Sequence, residues 1–349
     1  MTPNTCVFNS RALELLDITA ETPDRVGNVW IEKDAGGTPT GRMHGSVTNY
    51  YNGDPFMEGL LRRIPLISMD TILPAARLIK AAEMTDLSDD MLRVDGLSIA
   101  RGGPCAPGLL LMRQPYTGPY GEPTTGRSFV RPEGVEQAMR HCLERGLRLS
   151  IMAAGTGEQD IYLDQLEGLG RPPRTADGRP WLMEHLALVE EDQIRRFAAL
   201  GVDVTTTMSF SWGKGELIRG RLGEQYLQHL VPLRRLLDGG LRVAAGTYWG
   251  PKNVFEQIAL AVEPTYAASG RRAVTPGISR TEALGMWTRQ AAQVLGWKGI
   301  GSLVSGNHAD LVVIDRDPLT APLEEVPATA VISTVVAGVT VSGTPLEDL

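Results

Sequence analysis

The chain has 349 residues, 42% of them apolar and 21% charged, enough to bury a substantial core as one large domain or two ordinary ones and too apolar for a disordered chain. Its formal net charge is −7, with lysines and arginines scattered among acids, which excludes a basic face for nucleic acid or anionic lipid and leaves small-molecule ligands open. Three cysteines, Cys6, Cys105 and Cys142, lack C-x-x-C spacing, which argues against a disulfide framework or a zinc knuckle and for a reducing compartment.

Met1 to Ala20 has neither the charged start nor the apolar run of a secretory signal, and no stretch of about 18 apolar residues occurs, so a cytoplasmic chain with no membrane partner is expected. Up to about Gly59 a short helix, Ser10 to Leu16, is followed by turn-rich text that reads as an accessory region over residues 1–60. Arg63 to Ile67 is a short strand. Asp70-Thr71 then caps a helix from Ile72 to Glu83 with Pro74 in its first turn.

From here strands and helices alternate. Strands are predicted at Leu97 to Arg101, Leu147 to Ala153, Trp181 to His185, Val202 to Met208 and Leu241 to Gly246, and helices at Gly134 to Arg145, Gln159 to Leu169, Gln193 to Leu200 and Leu233 to Leu237. Such alternation specifies parallel strands joined by crossovers, hence an α/β barrel or a doubly wound sheet. After one helix, Thr281 to Leu295, the text changes to two apolar β-rich runs, Asp310 to Asp315 and Ala330 to Ala337. Thr340 to Ser342 follows Gly338 as the return of a hairpin.

Thr281-Glu282-Ala283-Leu284, Gly301-Ser302-Leu303 and Gly306-Asn307-His308-Ala309-Asp310-Leu311-Val312-Val313-Ile314-Asp315 resemble the C-terminal signature of amidohydrolases, in which a small β-sandwich follows the barrel. Upstream, the text is similar to amidohydrolase family 3, the group that includes N-substituted formamide deformylases. Asn9 to Leu13 and Gly37 to Gly41 resemble that family's insertion. Leu97 to Gly103 with Pro115-Tyr116 resembles its fourth barrel strand and following loop, Ile151 to Thr156 its fifth strand, Glu184-His185 its sixth, and Ala244 to Tyr248 the end of its eighth. The resemblance implies a TIM-type (β/α) barrel, incomplete and built of strands equivalent to the third through eighth over residues 61–299, with C-terminal β-sandwich strands over 300–349. It also implies hydrolysis of non-peptide carbon–nitrogen bonds by metal-activated water.

The family's ligands are an H-x-H pair on the first strand, a lysine on the fourth, histidines on the fifth and sixth and an aspartate on the eighth. This chain has no H-x-H. Ser98 stands in the lysine's place, Met152 in that of the fifth-strand histidine (Met152-Ala153-Ala154-Gly155-Thr156 for H-x-x-G-D) and Tyr248 in that of the aspartate. Only His185 is kept. One imidazole is too few for a catalytic zinc, which takes about three protein ligands, and a thioether has little affinity for borderline cations. No metal and no cofactor is therefore expected.

His185 at the barrel mouth could transfer protons or be a hydrogen-bonded relic. Tyr248 could donate to a developing oxyanion or fill the vacated metal space with its ring. Ser98 is a candidate by position and otherwise a small polar strand residue. Cys105, on the loop after the fourth strand, could be a nucleophile with His185 as base or a packing residue. Arg93 and Asp95 receive no role, and His44, His141, His229 and His308 are read as structural or solvated.

Three functions remain open: a divergent amidohydrolase-like chain that keeps a small-molecule pocket and depends on a partner, identical or not, to supply the missing barrel strands; a metal-independent hydrolase, lyase or cyclase using His185 with Tyr248 or Cys105; and a non-catalytic subunit.

Overall fold

The computed structural model describes residues 25–26, 29–30, 43–49, 91–128, 132–248 and 250–349. The helices expected at Ser10 to Leu16 and Ile72 to Glu83 and the strand at Arg63 to Ile67 lie outside the described residues.

The main sheet has six strands, all parallel: β1 Met43–Asn49, β2 Leu92–Ala100, β3 Arg148–Ala153, β4 Leu182–His185, β5 Asp203–Thr206 and β6 Arg242–Ala245, hydrogen-bonded in that order. The sequence reading puts residues 43–49 in the accessory region. The structure pairs them with β2, with Thr48 opposite Ser98.

Between the strands run α1 Pro132–Arg145, α2 Thr156–Glu167, α3 Glu191–Leu200, α4 Ser209–Leu222 and α5 Leu233–Asp238, and α6 Val254–Val262 follows β6. Helix α1 shows why. Val135, Ala138, Met139 and Cys142 are its buried residues, spaced to lie on one helical stripe, and Gly146 at φ +66 turns the chain back into β3 at a conformation that suits glycine.

Strand alternation then sorts the sheet into two faces. Leu97, Ile99, Leu149, Ile151, Met183, Val204 and Val243 are buried in the main core with the helices. On the opposite face the register lines up Ser98, Ser150, Leu182, Asp203 and Arg242 in one row, and Ala100, Met152, Glu184, Thr205 and Ala244 in the next row toward the strands' C-terminal ends.

An ionic layer closes the strands' N-terminal end. The guanidinium of Arg148, 1% exposed, lies 3.6 Å from Asp95 and 3.2 Å from Asp203, and its Nε donates to the Pro180 carbonyl at 2.9 Å. Arg179 reaches Asp95 at 2.5 Å and Arg242 reaches Asp203 at 2.8 Å. Asp95, which a Asp-Gly turn reading passes over, is thus the hub of a buried pairing that compensates charges otherwise costly to bury.

The single helix expected from Thr281 to Leu295 is broken in two, α7 Arg280–Trp287 and α8 Arg289–Leu295, at Thr288 with φ −122 and ψ −102. The reason is packing. Ala283 and Met286 of α7 join the main core, whereas Val294 of α8 packs with Leu182 and Ala244, on the other face. One straight helix could not reach both.

The tail forms a separate antiparallel sheet, β7 Leu311–Ile314, β8 Val331–Val336 and β9 Val339–Gly343, with β8 central. The β8–β9 loop is Ala337-Gly338 at φ +51 and +82, the positive pair that a two-residue hairpin turn requires. The hairpin return expected at Thr340 to Ser342 lies within β9. No helix of the described residues is long and apolar enough to cross a membrane.

Candidate functional site

Of the residues singled out by sequence, Ser98, Met152, His185 and Tyr248 lie on or just past the C-terminal halves of β2, β3, β4 and β6, the end at which barrel enzymes keep their chemistry. At the end of β4 the backbone leaves strand geometry: His185 has φ +78 and Leu186 φ +38, left-handed values that cost a non-glycine residue about 1–3 kcal/mol each. The turn is held by Thr206, whose hydroxyl donates to the His185 carbonyl at 2.7 Å, and by the Leu188 N–H, which donates to Ala154 O at 2.9 Å.

Leaving the strand there lets the imidazole join two other rings. The His185 ring lies 5.0 Å from Phe210, edge to face, and 5.2 Å from Tyr248, and Phe210 and Tyr248 are 5.6 Å apart. Burial pushes the imidazole down to about 4, so it is neutral at pH 7. Its neighbour moves the other way. Glu184 is pushed up to about 7 by burial, against hydrogen bonds from Ser150 and Ser98 and the charge of Arg148. Ser98, at the position where the resemblance puts the lysine, is among the groups that hold the Glu184 carboxyl down against burial.

Cys105 is elsewhere. Its side chain packs in the main core with Tyr116, and burial pushes the thiol up to about 11, against the charges of Arg221 and Lys214. The pairing with His185 considered from sequence is not made, since the imidazole packs against Phe210 and Tyr248. A thiol so placed carries almost no thiolate near neutral pH.

Sequence reasoning missed two members of the site. Phe210 opens α4 just past the seventh family strand, a position that chain order alone could have flagged. Glu184 was read only as the residue before His185. Its bonds to Ser98 and Ser150 depend on the β2–β3–β4 register, which spacing does not reveal. A small crevice lined by Thr206, Met208, Ala245, Gln257 and Trp287 lies beside β5 and β6, and its polar lining is already engaged: Gln257 accepts from Met208 N at 3.1 Å and donates to Ser209 Oγ at 3.2 Å.

A zinc of the kind the resemblance implies would meet, at the four equivalent positions, one imidazole, one thioether and two hydroxyls. That donor set does not fit a catalytic zinc. Among the described residues no three His, Cys, Asp or Glu side chains are grouped to hold a metal ion.

The family model described as amidohydrolase matches residues 61–342. N-substituted formamide deformylase from Arthrobacter pascens is 27% identical over 391 residues, covering 95% of this chain and 70% of that protein. Among solved structures, an uncharacterised metal-dependent hydrolase from Pyrococcus furiosus gives a TM-score of 0.60 at 23% identity over 79% of this chain and 56% of that one. One from Pyrococcus horikoshii gives 0.60 at 21% identity over 70% and 50%. Atrazine chlorohydrolase from Arthrobacter aurescens, solved with zinc, gives 0.52 at 18% identity over 88% and 64%. The chain therefore spans about half to two thirds of the length of these structures, whose likeness carries the barrel fold. With four fifths of its residues inside the matched range, this chain belongs to the amidohydrolase family.

Proposed function

We propose that this chain is a divergent amidohydrolase-like protein that binds a small carbon–nitrogen-bonded molecule at the C-terminal ends of its strands without a divalent cation, its barrel completed by strands from another polypeptide. One observation supports the reading: where the resemblance puts the family's ligands, this chain carries Ser98, Met152 and Tyr248 beside the single imidazole of His185. The substrate class follows from the relatives, N-substituted formamide deformylase above all.

Catalysis by side chains alone is favoured by the ring cluster and its neighbour. A neutral His185 can accept a proton or a hydrogen bond, Tyr248 beside it can donate one, and Glu184, bonded to Ser98 and Ser150, holds a carboxyl whose charge changes near neutral pH. A group of that kind suits general acid–base work. Elemental analysis of the chain purified from zinc-supplemented cells, with full partner complement, tests the central point. The expected content is well under one-tenth of a zinc per chain, unchanged in His185→Ala; one zinc per chain, lost on that substitution, would refute the metal-free reading.

A further inference from the structure

The first turn of α2 carries a buried carboxylate that neither the family's ligand pattern nor the ring cluster uses. Glu158, 2% exposed, accepts three backbone N–H groups: one oxygen takes Ala154 and Gly155, the latter at 3.0 Å, and the other takes Gly102 at 2.9 Å. The first two bonds are local, the reach-back by which a helix's third residue satisfies its own N-terminus. The third is not. Gly102 lies beyond the end of β2, just past Ala100 and Met152 where β2–β3 pairing stops; farther along, Gly157 N–H to Leu111 O at 3.0 Å and Arg113 N–H to Thr156 Oγ1 at 3.2 Å join the same two loops again. A Cβ at Gly102 would come within 2.5 Å of the Glu158 carboxylate oxygen, so a larger residue there would push that carboxylate aside.

We propose that Glu158 is a positioning residue: one carboxylate clamps the chain leaving β2 to the chain leaving β3, and so fixes the separation of the strand ends that carry Ser98 and Met152. The family text H-x-x-G-D has its acid where this chain has Thr156, and the chain carries the carboxylate two residues later. The clamp acts through backbone and touches no ligand. It stands or falls independently of whether the site holds a metal.

The charge on the clamp is not permanent. Burial pushes Glu158 up to about 6, against the three N–H donors and the nearby Arg101 guanidinium. The ionisable groups facing it are Arg101 from the end of β2 and Tyr162 from α2, with Glu133 of α1 acting on Arg101. Arg101 donates from Nε to Ser128 at 3.0 Å, which ties the same loop a second time. Through Glu158, the mouth of β2 and β3 is expected to respond to mild acid.

The test is backbone amide exchange by NMR on the full chain, wild type and Glu158→Gln. A glutamine keeps one accepting oxygen, best turned to the pair Ala154 and Gly155, and puts an amide NH2 against the Gly102 N–H. Protection at Gly102 is expected to fall at least about tenfold, as loss of a hydrogen bond to a charged group implies, with Leu149 and Ile151 of β3 unchanged. In wild type the Gly102 amide shift is expected to titrate with a midpoint near 6, and not in Glu158→Gln. A Glu158 that merely caps α2 would disturb Ala154 and Gly155 alone. Gly102 protection within twofold of wild type in the variant, or no protection in wild type, overturns the clamp.

Discussion

Glu184 and His185 are adjacent in sequence and displaced in opposite directions, and the consequence is a stability profile with two opposing slopes. An unfolded imidazole takes its proton near 6.5 whereas His185 in the fold does so near 4, so between those values the unfolded chain binds more protons and stability falls as pH drops. Glu184 titrates near 7 in the fold against 4.5 unfolded, so over that interval the folded chain binds more protons and stability falls as pH rises. Urea midpoints at several pH values separate the two. Relative to wild type, His185→Phe is expected to lose less stability from about pH 6.5 down to about 4, and Glu184→Gln less from about 4.5 up to about 7, by up to a few kcal/mol each. A His185→Phe protein with the wild-type acid limb would show that the imidazole titrates normally. Ser98, Met152 and Tyr248 were singled out because text resembling the family's surrounds them. What Ser98 does was not legible, because its partner Glu184 arrives through strand pairing.

At the scale of elements, short apolar runs between helices and turn residues located β3 to β6 to within a residue or two, and Gly146 and Gly201 marked the ends of α1 and α3. Helix α4 escaped. It carries Gly213, Gly215 and Gly220, and its buried residues, Ser209, Ser211, Gly215, Ile218 and Leu222, form no apolar stripe that periodicity could detect. Gly215 has a tertiary reason: a Cβ there would overlap the Tyr266 ring, itself 1% exposed. Helix propensity alone favours Gly215→Ala by about 1 kcal/mol, but overpacking a filled core costs about 1–3 kcal/mol. The ring cannot swing outward, so packing wins. Gly215→Ala is expected to lower the urea midpoint, and a raised midpoint would mean that Tyr266 yields freely. The break at Thr288 was equally invisible, because the text on both sides favours helix and only the two sheet faces demand the turn.

For the molecule as a whole, the described main sheet ends at β1 on one side and β6 on the other, and an edge strand presents unpaired backbone donors and acceptors that invite pairing. The described C-terminal sheet likewise leaves Val312, Val331 and Val339 at 53%, 49% and 64% exposed. Sedimentation of the chain alone is expected to show self-association or a poorly folded species, and a stable, well-folded monomer without an added chain would count against the partner reading.

Sequence alone determined the alternation of strand and helix and the family, because each rests on residue type and local order. Tertiary structure decided that residues 43–49 flank β2, that α7 and α8 part company, that Cys105 is a core residue, and that His185, Phe210 and Tyr248 form one ring cluster. Those facts depend on register and on which face of a sheet a side chain meets, and a one-residue slip reverses every such facing without altering a single local signal.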